Sequence, residues 1–201
     1  RINLLKENYA RLDKNAKSLA DSFINSEKVI KNFFEKVAGF DLKSSRIRIH
    51  GDYHLGQVLF TGTDYLIIDF EGEPESSIAD RKIKHSPLKD VAGMIRSFHY
   101  AVCAKLYFSA ETKAIEPVRL QKAADRWYKL ITDAYRDAYM QTMGNITDVF
   151  GSRTELNFLL QLHLLEKAVY ELGYELNGRP DWIRIPLKGI QHVLFEIEKF
   201  N

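Results

Sequence analysis

The chain has 201 residues, 45% of them hydrophobic, a formal net charge of +2 and one cysteine. That length and apolar content suffice for one compact domain, or one large lobe of a larger protein, with a real core. The near balance of charge excludes a basic nucleic-acid footprint and an acidic solvating tail, so the expected partners are small molecules.

No apolar run approaches the roughly twenty residues that span a bilayer, and Arg1-Ile2-Asn3-Leu4 carries no signal-peptide pattern. The expectation is a cytoplasmic protein with neither membrane nor nucleic acid as partner. Cys103 lies in an apolar helical stretch, which excludes an internal disulfide and fits buried packing in a reducing compartment.

From Leu4 to Val37, apolar residues recur at helical spacing among Lys, Glu, Asn and Asp. The pattern predicts two helices, or one interrupted at Asn25-Ser26, ending at Gly39. Residues 1–40 are therefore read as an N-terminal helical segment of the lobe, and 41–201 as its main body, in a single compact domain.

Arg46 to Ile49 alternates basic and β-branched residues, a short strand signal leading into His50-Gly51-Asp52. A hairpin follows: Val58 to Phe60, the turn Thr61-Gly62-Thr63-Asp64, then Tyr65 to Ile68. Gln57 stands just before its first strand and Asp69 just after its second. Antiparallel pairing therefore returns both side chains to one open end.

The pattern H-G-D-x-x-x-x-Q followed by D-F-E matches in type and spacing the kinase template H-R-D-x-x-x-x-N followed by D-F-G. Phosphoryl transfer needs one carboxylate to take the proton of the attacking hydroxyl and oxygen ligands to hold magnesium. Asp52 suits the first role and Gln57 with Asp69 the second.

Beyond Pro87 the chain reads as helices, roughly Leu88 to Phe108, Pro117 to Met143, Thr154 to Leu176 and Pro186 to Phe200. Ser86-Pro87 with Asp90 marks a helix start and Asn177-Gly178-Arg179-Pro180 a stop. The fold class is α+β but mainly α: helices around a small catalytic β-hairpin.

Four segments resemble one family. His50 to Leu59 is similar to the catalytic loop of maltokinases, including the Gln where most related kinases have Asn, and Ile68 to Pro74 is similar to their metal-binding segment. Ser86 to Phe98 resembles the helix that follows, and Glu166 to Glu171 with Arg179 to Leu187 the closing part. The family is related to the aminoglycoside phosphotransferases and is often found fused behind a trehalose synthase.

The resemblance implies the C-terminal lobe of a protein-kinase-like fold that transfers the γ-phosphoryl group of ATP to the anomeric hydroxyl of maltose, giving maltose 1-phosphate. Asp52 would then be the catalytic base, with Gln57, Asp69 and Glu71 around Mg2+ and His50 and His54 on the nucleotide side. Arg96, Glu166, Lys167, Tyr170, Glu171 and Trp182 are candidates for holding the sugar, because they fall in family-like segments. No strand–Gly-rich turn–strand pattern precedes the catalytic loop. A fragment that shares its ATP with an absent N-terminal lobe, and is inactive alone, is therefore expected.

Several plainer readings stand beside these. His50 can hold backbone carbonyls through its ring nitrogens, and His54 can be a solvent-facing loop residue. Glu71 and Glu73 can form a solvated acidic turn, and Arg81, Lys82 and Lys84 a solvated basic loop. Trp127, Tyr128, Tyr135 and Tyr139 follow helical spacing and read as packing. Two other functions stay open: a kinase for another small hydroxylated acceptor, such as an aminoglycoside or amino alcohol, and a non-catalytic assembly module of a larger synthase.

Overall fold

The computed structural model describes residues 1–73, 76–112 and 115–199. Pro74, the last residue of the expected metal-binding segment, and Phe200, the expected end of the last helix, lie outside them. In chain order the elements are α1 (Ile2–Asn8), α2 (Lys14–Ile24), α3 (Glu27–Ala38), β1 (Val58–Phe60), β2 (Tyr65–Ile67), α4 (Ile78–Arg81), α5 (Leu88–Phe108), α6 (Pro117–Met143), α7 (Ile146–Phe150), α8 (Arg153–Gly178) and α9 (Arg184–Glu198). The chain is mainly helical with one two-stranded sheet among the described residues. No described helix is long and apolar enough to cross a membrane.

Packing groups the chain into two compact units, residues 1–42 with 157–201, and residues 43–156. The division is discontinuous in sequence, with residues 1–42 packed together with the C-terminal residues 157–201. In the first unit α9 lies against α2 and α3, burying Ile185, Leu187, Ile190 and Ile197 from one side and Ala16, Ala20, Phe23 and Phe33 from the other. Phe158 stacks on Phe33 at 5.7 Å between ring centroids and meets Phe40 at 4.9 Å.

The N-terminal stretch breaks once more than its periodicity predicts. Besides the joint at Asn25-Ser26, Asp13 caps α2 by accepting a hydrogen bond from Ala16 N at 2.7 Å. A carboxylate here satisfies an otherwise orphaned helix N–H.

In the second unit α5 is the central helix, with Leu88, Val91, Ala92, Met94, Ile95, Phe98 and Cys103 buried. Cys103 is 4% exposed, in agreement with its reading as packing. Glu116 caps α6 through Val118 N and Arg119 N, with Pro117 in the first helical position where its missing N–H is harmless. The hairpin pairs Val58 with Ile67, Leu59 with Leu66 and Phe60 with Tyr65.

One expected strand is absent. Residues 46–49 make only an isolated bridge, Ile47 with His85, through hydrogen bonds of 2.9 and 3.0 Å. Alternating β-branched residues suit a strand, but a ladder also needs a partner strand, and His85 supplies one rung.

Candidate phosphoryl-transfer site

The second unit brings the motif residues together at the base of the hairpin. Gln57 and Asp69 meet there, with Gln57 Nε2 donating to Asp69 Oδ2 at 2.8 Å. The ladder is extended one step by Ile68 N donating to Gln57 O at 3.0 Å, which fixes the approach of the two side chains. Asp69 has φ of 64°, in the left-handed region that an L-residue enters at some cost. Aspartate tolerates it better than most residues, and such strain tends to collect at functional positions.

His50 ties this end of the hairpin to the loop that carries Asp52. Its Nε2 donates to Ile68 O at 2.8 Å, and its Nδ1 faces Asp52 N at 3.4 Å. The ring is 7% exposed and lies between Tyr53 and Phe70, at 5.5 and 5.0 Å between centroids. Both ring nitrogens thus face backbone atoms, which is the plainer of the two readings of this histidine.

The loop itself is held from below by α5. Asp90, on the first turn of that helix, accepts from His50 N at 2.7 Å with one oxygen and from Gly51 N at 3.0 Å with the other. Three residues on, Gly93 leaves room for the loop: a Cβ there would lie 2.6 Å from Tyr53 O. One further turn along, Ser97 Oγ accepts from Leu55 N at 2.9 Å. The sequence reading took Asp90 only as part of a helix start. Its distance of 40 residues from His50 hides the contact from any local pattern.

Gly51 and Gly72 bring the loop of residues 50–55 and the segment after Asp69 into backbone contact. Both have positive φ, 88° and 81°, and a Cβ on Gly51 would come within 3.3 Å of Gly72 Cα. Arg81 covers the other side, its aliphatic stem over Gly72 and its Nη1 donating to Glu71 O at 3.2 Å. The expected basic loop is thus only partly solvated: Lys82 and Lys84 are exposed, whereas Arg81 folds onto the metal-binding segment.

Glu71 is exposed, and its carboxylate makes no hydrogen bond or ion pair with any described residue. Of the three expected Mg2+ ligands, Gln57 and Asp69 are the two in direct contact. No group of three or more His, Cys, Asp and Glu suited to a metal occurs among the described residues. Two hard oxygen donors fit an ion that takes one or two protein ligands and completes its shell with water and phosphate.

The proposed sugar contacts divide between the units. Arg96 lies in the second, 2% exposed, donating through Nη1 to His99 Nδ1 at 3.1 Å. An arginine has only donors, so Nδ1 accepts and the neutral ring carries its proton on Nε2, facing Cys103 Sγ at 3.5 Å. The Tyr128 ring meets His99 edge-on at 5.2 Å, as packing predicts.

Glu166, Lys167, Tyr170, Glu171 and Trp182 lie in the first unit. Glu166 pairs with His163 Nδ1 at 3.1 Å, Lys167 Nζ lies 5.2 Å from the Tyr170 ring centre, and Arg179 covers Trp182 at 4.7 Å. Arg179 is itself held by the buried Glu175 through bonds of 2.9 and 2.7 Å.

No family model matches the sequence. Two curated relatives are glucosamine kinases. That of Streptacidiphilus jiangxiensis is 26% identical over 142 residues, 70% of this chain and 30% of the relative. That of Mycolicibacterium smegmatis is 31% identical over 150 residues, 73% of this chain and 34% of the relative.

A solved glucosamine kinase in complex with glucosamine, ADP and inorganic phosphate superposes with a TM-score of 0.73 at 21% identity, covering 96% of this chain and 43% of that one. A second crystal form of a glucosamine kinase gives 0.71 at 21% identity over 98% of this chain and 45% of that one. The chain thus spans about a third of the curated relatives and under half of the matched structures. The likeness shows the fold: 96% of this chain takes up the architecture of the matched part of that glucosamine kinase.

Proposed function

We propose that this chain is the helical, catalytic lobe of an ATP-dependent sugar kinase. The observation that carries the reading is the meeting of Gln57 with Asp69 at the hairpin base, with the Asp52 loop fastened to the same place through His50. Asp52 takes the proton of the acceptor hydroxyl as its oxygen attacks the γ-phosphorus. The bond from that phosphorus to the β,γ-bridging oxygen breaks, and ADP leaves with the bonding pair.

Gln57 and Asp69 would hold Mg2+, which when bound neutralises charge on the triphosphate. Glu71, with its exposed carboxylate, would be a further ligand or act through a bound water. The protein's own task is mainly alignment, and the network under the loop is built for that.

The hairpin supports a shared nucleotide site. Leu59, Phe60 and Leu66 are 47%, 64% and 54% exposed, and a lone two-stranded ribbon with bare apolar side chains is marginal in water. We read that surface as the face on which an N-terminal nucleotide-binding lobe packs, so ATP is held between this lobe and further polypeptide.

Two sugars compete as acceptor. The names of the relatives favour glucosamine. The catalytic-loop Gln and the closing segments favour maltose, phosphorylated to maltose 1-phosphate, with a trehalose synthase as a fused partner.

The deciding experiment incubates the complete protein with ATP and Mg2+ against glucosamine, maltose, an aminoglycoside and an amino alcohol, following ADP and the phosphorylated product. ADP formation with a sugar is expected, and the Asp52→Ala variant should lower kcat by at least about a thousandfold while acceptor KM stays within a few-fold. Turnover confined to the aminoglycoside or the amino alcohol, or unchanged turnover in the variant, overturns this reading.

A further inference from the structure

We infer that His54 is a positioning residue for the catalytic carboxylate: it orients Asp52 through a proton held on Nε2, rather than touching the nucleotide. The inference rests on the kinase reading of Asp52. His54 Nδ1 accepts a hydrogen bond from Gly56 N at 3.0 Å. An N–H donor on that nitrogen leaves the neutral ring only one place for its proton, Nε2. That nitrogen faces Asp52 Oδ2 at 3.6 Å.

The spacing is long for a finished hydrogen bond, but such contacts often tighten only when substrate is bound. The donor lies beside the carboxylate with no ligand needed to place it. Orientation through Oδ2 sets the direction in which the carboxylate meets an acceptor hydroxyl.

The seat of the ring is built into the loop. His54 is extended at φ −151° and ψ 172°, and the turn Leu55–Gln57 starts directly after it. A Cβ on Gly56 would lie 2.8 Å from His54 Cε1 and 3.0 Å from Nδ1, so any other residue there pushes the imidazole off its place. Leu55 N is fastened to Ser97 Oγ at 2.9 Å, which anchors the same turn on α5. The spacing Asp52, His54, Gly56 thus forms one unit: carboxylate, donor, and the small residue that admits the donor.

Two substitutions separate this role from a structural one. His54→Asn can still accept from Gly56 N through its Oδ1 but has no donor at the Nε2 position. His54→Gln carries an N–H group out to that position. In the complete protein His54→Asn is expected to lower kcat by about ten- to a hundredfold, with KM for ATP and for the sugar within a few-fold, and His54→Gln to restore most of the loss. Equal losses in both variants, wild-type kcat in His54→Asn, or a rise confined to KM for ATP would each overturn the inference.

A second readout needs no turnover. Nitrogen-15 NMR of the histidine rings, with His54 assigned by its loss in His54→Asn, should show the Nε2–H tautomer, and Asp52→Asn should shift that proton. The Nδ1–H tautomer, or a proton indifferent to Asp52→Asn, overturns the inference. Absence of phosphoryl transfer by the wild type would instead defeat the kinase reading, with the NMR result still deciding the geometry.

Discussion

Asp90 holds two backbone N–H groups of the catalytic loop on its two carboxylate oxygens, at 2.7 and 3.0 Å. Charge-assisted bonds of this kind are stronger than neutral ones, and removing such an acceptor strands donors that the packing keeps from water. In Asp90→Asn the amide can accept only one of the two and turns its own N–H groups toward the other. The expected cost is about 1–3 kcal/mol, read as a lower denaturation midpoint, with kcat falling more than KM rises because the loop loses its register. Unchanged stability and kcat would remove Asp90 from this role. The meeting of Gln57 with Asp69 was legible from type and spacing alone, whereas the role of Asp90 was not, because its partner lies across the fold.

At the scale of elements, α5 acts as a template: Asp90, Gly93 and Ser97 share one face, and residues 50–55 of the loop run along it. The close approach at Gly93 is to backbone, the Tyr53 carbonyl, which cannot swing aside as a side chain could. Gly93→Ala should therefore cost about 1–3 kcal/mol and lower kcat, although alanine is the better helix former. A variant more stable than the parent would show that the loop yields without strain.

Helix ends carrying local signals were well anticipated. The expected spans Leu88–Phe108 and Pro117–Met143 coincide with α5 and α6, where Pro87, Glu116 and Pro117 mark the starts. The short helices α4 and α7 were not anticipated: four and five residues are too few to show a helical period, even though Ser77 caps α4 through Asp80 N. The β signal at residues 46–49 produced a single bridge, because strand formation depends on a partner that local sequence does not contain.

Across the second unit as a whole, a set of tyrosines couples stability to alkaline pH. Burial raises the phenol of Tyr135 above its ordinary value of 10.0, with smaller contributions from Tyr53, Tyr139 and Asp90. Tyr53 and Tyr139 are raised for the same first reason, with Asp90 next. The folded state therefore keeps these phenols protonated where the unfolded chain has begun to ionise them. Their contribution is complete below about pH 10 and is lost as pH rises from there through the raised folded values. Thermal unfolding measured from pH 8 upward should give a constant midpoint until about pH 10 and a fall above it, shallower in Tyr135→Phe. An equal fall in parent and variant would exclude Tyr135 as a source.

The sequence by itself determined the mainly helical class and the hairpin, and singled out Asp52, Gln57 and Asp69 as candidates, because residue type, chain spacing and strand alternation are local properties. Antiparallel geometry also made the meeting of Gln57 with Asp69 foreseeable. Only the tertiary structure decided that His50 bonds the Ile68 carbonyl, that Arg96 is buried beside His99, that Arg81 bonds the Glu71 carbonyl, and that α5 holds the loop. Each of these depends on which side chain fills a space or satisfies a buried donor. That choice belongs to packing between distant segments, which no local pattern encodes.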